Sequence, residues 1–145
     1  MAFVLNIKGL DKTLKKIKDV QKELLVEISG ELEQGAQNIA AKAEVRAPVD
    51  KGSLQMNIKW EKDPAIPMTY YVYAKNKYAP YVEFGTGKFV FMGQFWVDAQ
   101  LERYARTFYV NGKGRMYPRP FFFNSYFEEK PEMIKRVKKV LELKK

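Results

Sequence analysis

Along the first third of the chain, apolar residues recur at Leu10, Leu14, Ile17, Leu24, Ile28, Leu32, Ile39 and Ala43. Most of the gaps are three, four or seven residues, which puts these side chains on one helical face and predicts helix from Leu10 to Ala47. Asp11 suits the N-cap. Pro48 ends the run, because proline lacks an N–H and restricts the residue before it. Ser29-Gly30 and Gly35 interrupt the pattern, so one kinked helix and two helices in series both remain open. A continuous helix of this span would reach about 55 Å at ~1.5 Å per residue. That exceeds what a domain of this size covers, so part of the stripe is expected to meet another helix or another subunit. The small residues of "GAQNIAAKAEVRA" (35–47) point to close helix–sheet packing.

After Pro48 the period changes. Pro48 to Gly52 carries turn chemistry. Leu54, Met56 and Ile58 then alternate with Gln55, Asn57 and Lys59, the pattern of a half-buried strand. "DPAIP" (63–67) reads as a connection. "MTYYVYAK" (68–75) is dense in aromatic and β-branched residues and predicts an antiparallel partner strand. From Gly85 to Tyr117 no period is clear; "QFWVDAQLERYAR" suits a short helix, and Asn111-Gly112 suits a hairpin tip. The chain closes on helical spacing at Phe123, Phe127, Ile134, Val137 and Leu141. Pro120 fits a first helical turn, and Pro131 either kinks this helix or starts a second. The order predicts one α+β domain over residues 1–145. A long N-terminal helix and a C-terminal helix pack on a small antiparallel β-sheet, with a long irregular loop at about 85–117.

Composition narrows the chemistry. The chain of 145 residues contains neither cysteine nor histidine. Thiolate catalysis, disulfides, Cys- or His-ligated metals and the commonest general base are thereby excluded. No apolar run approaches the ~20 residues of a membrane span, and the N-terminus has no signal-peptide pattern, so folding in a cytoplasm is expected. The net charge of +9 suggests an acidic partner such as nucleic acid. The cations cluster at 8–22 and 135–145, however, on helical segments where a charged stripe is ordinarily the solvated face.

The motifs with catalytic or anion-binding overtones are weak. "GTGK" (85–88) and "NGKGR" (111–115) lack the spacing of a phosphate loop. Asp50, Glu83 and Asp98 lack metal-ligand spacing; Asp50 reads as a turn residue and Glu83 as a surface or interface acid. No catalytic, cofactor-binding or metal residue is therefore assigned. The aromatics Tyr70, Tyr71, Tyr73, Tyr78, Tyr81 and Phe84 suit a core on one side and a protein interface on the other.

Four stretches occur in a fixed order: "GLDKTLKKIKDV", "APVDKGSLQMNI", "YAPYVEFGTGK" and "RPFFFNSYFEE". Together they resemble the tail-completion (head–tail joining, minor tail) proteins of long-tailed bacteriophages and prophages. The chain departs from that pattern at Lys51, where Thr is usual, at Gln55, where a basic residue is common, and in "PFFFNSY". The resemblance implies a non-enzymatic virion subunit of the tail or neck, present in the host cytoplasm during assembly. It would form a ring on assembly, hexameric by the resemblance, that joins the tail to the DNA-filled head; whether the free chain is a monomer is left open. Its partners would be head-completion, tail-terminator and tail-tube proteins, with DNA passing through without sequence-specific contacts. The interface candidates are Tyr78, Tyr81, Glu83, Phe84, Gly85, Thr86, Arg119 and Phe121. The alternative is a basic nucleic-acid-binding module.

Overall fold

The computed structural model describes residues 3–6, 22–91, 99–106 and 114–143. In chain order the elements are β1 (Phe3–Asn6), α1 (Lys22–Arg46), α2 (Ser53–Met56), β2 (Ile58–Lys62) and β3 (Tyr70–Ala74). These are followed by α3 (Ala79–Phe84), a 3-10 turn (Gly87–Phe91), α4 (Ala99–Arg106) and α5 (Phe123–Leu143). The sheet is antiparallel in the order β1-β3-β2; α1 packs on it and α5 lies along α1, an α+β fold.

Helix α1 runs unbroken through Ser29, Gly30 and Gly35, so of the two readings left open, the described part is a single helix. Ser29 does not break it because its hydroxyl pairs with the Tyr70 hydroxyl at 2.7 Å, and Tyr70 also donates to the Ser29 carbonyl. The bond therefore fastens helix to sheet. Leu24, Ile28, Leu32, Ala36, Ile39, Ala40 and Ala43 are buried, as the apolar spacing requires. The expected stretch 10–21, with Asp11 as its cap, lies outside the described residues.

The closest approach of α1 is to another helix. A Cβ on Gly35 would lie 2.3 Å from Met133 Sδ in α5, so glycine is what admits the methionine there. Contacts to α5 recur at Glu31, Gly35, Asn38, Lys42 and Arg46, steps of four, three, four and four that define one helical stripe. Their partners run backwards along α5, from Arg136 to Ser125, so the two helices are antiparallel. Helix α5 is continuous through Pro131, which sits on its exposed side. The missing N–H there costs about 3 kcal/mol in a bare helix, and the buried contacts of Glu129 and Met133 on either side offset it.

Two expectations are corrected. The alternation from Leu54 is not strand: Ser53–Met56 is a single helical turn, opened by Gly52 at a φ of 71°, and β2 begins only at Ile58. Leu54 is buried while Met56 is exposed, so the two never shared a face. Pro120 precedes α5 instead of lying in its first turn. The partner strand is found at Tyr70–Ala74, with Tyr70, Val72 and Ala74 inward, and it pairs with β2 in the register Ile58↔Ala74 to Lys62↔Tyr70. β1 adds a third strand on its other side. The Asn111-Gly112 hairpin tip lies outside the described residues.

Candidate interface site

The motif "YAPYVEFGTGK" folds as helix α3 followed by a tight turn. Pro80 occupies its first turn, where a missing N–H is harmless. Gly85 then turns the chain at a φ of 76°, with Met116 O only 2.7 Å from where a Cβ would sit. The segment 114–120 packs against this corner. Thr86 donates its N–H to Met116 O at 3.0 Å and accepts the Met116 N–H on its hydroxyl at 3.1 Å. Arg119 N–H donates to Val82 O at 2.7 Å. Gly85 thus serves close backbone approach, and the Gly85 and Thr86 amides donate to Tyr81 O and Met116 O.

Glu83 is the centre of the corner. Its side chain is buried, and its Oε2 accepts the N–H groups of Phe121 (2.8 Å) and Phe122 (3.0 Å), while Oε1 accepts that of Phe123 (3.0 Å). These are N–H groups at the start of α5, which its own helical carbonyls cannot satisfy. A carboxylate reaching in from another helix caps them and complements the positive end of the helix dipole. Burial pushes the Glu83 carboxyl above the ordinary glutamate value, with the three N–H groups pulling the other way. The reading of Glu83 as a surface acid is therefore corrected: it is an internal cap.

The other candidates divide by depth. Phe84 and Phe121 are buried, and Phe84 stacks on Phe123 at 5.7 Å and meets the edge of Tyr104 at 5.8 Å. Gly85 is buried and Thr86 half-buried. Tyr78 (45% exposed), Tyr81 (38%) and Arg119 are on the surface. All eight belong to one locality, four of them inside the chain's own packing and three facing outward.

Two of the outward three, Tyr78 and Arg119, border a groove of about 690 Å³ between α2, α3 and the 115–119 segment. Its walls are apolar at Leu54, Tyr78, Val82, Met116 and Tyr117, and its charged groups are Lys51, Arg115 and Arg119 against Asp50. Tyr117 is 61% exposed and rests on Phe89, the ring centroids 4.1 Å apart. Sequence reasoning missed the α2 wall and Arg115–Tyr117 as site residues. The signal lay in "APVDKGSL", where Gly52 turns the chain, but its strand reading hid it.

Among the described residues no cluster of carboxylates has the arrangement of a metal site, and no helix is long and apolar enough to cross a membrane. Of the three acids considered for chemistry, Glu83 is buried as a cap, Asp50 borders the groove, and Asp98 lies outside the described residues. On α5, Arg136 pairs with Glu31 and Glu129 at the seam with α1, and Lys135 with Glu132 in an exposed pair within the helix.

Comparison with known proteins places this α+β chain in a family. Residues 10–85 match the family described as "Bacteriophage HK97-gp10, putative tail-component". The match spans more than half of the chain, and the chain belongs to this family of phage tail components. It takes in α1 to α3, with the α2 and α3 sides of the groove and Glu83. No curated protein and no solved structure matches the chain.

Proposed function

We propose that this chain is a structural subunit of the phage neck, forming or completing the ring through which the tail is joined to the DNA-filled head. The observation that carries the reading is the groove. An apolar, aromatic surface with a cationic rim is set on a corner whose backbone is already fixed by Glu83 and Thr86. Aromatic and arginine-rich patches of this kind are what protein interfaces enrich. A pre-set corner also keeps the ordering cost of binding low. Membership in a tail-component family supports a place in the virion; on the proposed reading the chain is made in the host cytoplasm and contacts copies of itself and head-completion, tail-terminator or tail-tube proteins.

The nucleic-acid alternative draws on the net charge of +9. It loses ground because Lys42, Arg46 and Arg136 are spent on Glu128, Glu129 and Glu31 within the fold. A steep salt dependence of DNA binding by the purified chain would restore it. The neck reading is tested by electron microscopy of particles made without the chain. Filled heads beside complete, unattached tails are expected; normal virions would overturn it.

A further inference from the structure

The β2–β3 connection is more than a link. Its tip, Pro64-Ala65-Ile66-Pro67, presents Ile66 at 43% exposure between two prolines. The tip is held in shape from below. Asp63 Oδ1 accepts the N–H groups of Ala65 (2.8 Å) and Ile66 (2.9 Å), Asp63 Oδ2 accepts the Tyr71 hydroxyl, and Asp63 N–H donates to Thr69 O at 2.8 Å. Met68 closes the loop with a φ of 56°. A protruding aliphatic side chain on a tied, proline-flanked loop has little conformational freedom left to lose on docking.

This tip and the groove are at opposite ends of the same hairpin. The loop joins the Lys62 and Tyr70 ends of the strands. At the other end Ile58 pairs with Ala74, α2 leads into Ile58, and Tyr78 follows Ala74. The strands between them are five residues long, about 17 Å at ~3.4 Å per residue. The charges are opposed in sum: Glu61 and Asp63 outnumber Lys62 on the strand leading into the tip, and Lys51, Arg115 and Arg119 outnumber Asp50 around the groove. The groove volume of about 690 Å³ falls in the ~300–1,000 Å³ range of clefts that bury a drug-sized ligand, room for a loop tip of several residues.

We propose that the β2–β3 loop of one subunit, led by Ile66, docks into the α2/α3 groove of a second copy. Two different patches at opposite ends of a rigid hairpin make a head-to-tail contact, which propagates from copy to copy and closes where the rotation permits. The opposed charges fix register and reject the reversed pairing. The contact rests on the ring reading above and names the surfaces that would build the ring.

Because the chain has no cysteine, thiols can be placed at will. Full-length chain carrying Ile66→Cys together with Met116→Cys is oxidised, both purified and within particles, and compared with Ile66→Cys plus Val26→Cys. Val26 is 71% exposed on α1. A ladder of covalent oligomers from the 66/116 pair, with little from 66/26, is expected, since bridging requires Cα atoms within about 7 Å. Lys51→Cys in place of Met116→Cys gives a second groove position and should give the same ladder. Ile66→Asp in the native background should weaken self-association about tenfold or more with an unchanged thermal melt. Particles that hold several copies per tail but give no 66/116 or 66/51 ladder, or an equal one from 66/26, overturn this contact and leave the ring reading standing. Particles with a single copy per tail, or none, overturn both.

Discussion

Glu83 and Glu129 are both buried glutamates, and each is tied to α5, yet they are solved in opposite ways. Glu83 meets three backbone N–H groups and no cation among its hydrogen-bond partners. Glu129 receives Asn38 Nδ2 at 2.9 Å, Lys42 Nζ at 3.0 Å and Arg136 Nη2 at 2.7 Å. Burial works upward on both carboxyls. At Glu129 the hydrogen bonds from Asn38, Arg136 and Lys42 outweigh it and hold the group below the ordinary value, whereas at Glu83 burial wins. The difference teaches what each carboxylate is for. Glu83 organises backbone, fixing where a helix begins. Glu129 organises side chains, fixing how two helices lie together.

The largest effect should come from Glu83→Ala. Three buried N–H groups would lose their acceptor at once, and each costs about 1–3 kcal/mol when left unmade. A loss of roughly 4 kcal/mol or more is expected in urea unfolding, a large share of the stability of an ordinary domain. A loss below about 1 kcal/mol would mean water replaces the cap. Gly35→Ala comes next. Its Cβ would collide with Met133 Sδ, so the α1–α5 seam must part or the methionine must move, at about 1–3 kcal/mol. Adding Met133→Ala should recover part of the Gly35→Ala defect, which a double-mutant cycle measures.

Glu129→Gln should cost less, about 1–2 kcal/mol after allowing for solvent screening, because its cationic partners are about one-third exposed. The effect should shrink in high salt, while that of Glu83→Ala should not. Chemical denaturation at two ionic strengths separates them.

The smallest and most discriminating test is pH. Glu129, depressed in the fold, contributes stability above the unfolded-chain value near ~4.3 and loses it as pH falls through its lower native value. Glu83, raised in the fold, contributes in the other sense: its share is full below the unfolded value and is lost as pH rises through its raised native value. Glu129→Gln should therefore flatten the acid limb of the stability curve, and Glu83→Gln the limb just above it. Identical changes in both limbs would erase the distinction between the two sites.

Much of the frame was legible in the sequence. The spacing of Leu24, Ile28, Leu32 and Ile39 marked α1, the aromatic density of 70–74 marked β3, and the ordered motifs marked the family. What escaped was non-local. β1 is a four-residue strand that exists by pairing with β3 some seventy residues on. Leu54, Met56 and Ile58 gave only three points of alternation, too few to separate a strand from one helical turn. Glu83 was read outward because acids usually are, and its partners are 38 to 40 residues away. A clue was present: "PRPFF" before α5 holds no Ser, Thr, Asp or Asn to cap it. A helix of 21 residues without a local cap requires one from elsewhere, and the acid set between Val82 and Phe84 supplies it.

The Glu83 clamp also has a mechanical meaning. One groove wall is α3, another is the segment entering α5, and the Arg119–Val82 and Thr86–Met116 backbone bonds tie that side together. Just inside, Glu83 grips the first turn of α5. A push on the groove is thus passed through one carboxylate into a helix about 31 Å long, at ~1.5 Å for each of its 21 residues, and along it to α1. Stress at this surface would be shared by the two longest described struts of the subunit instead of being absorbed by a yielding loop.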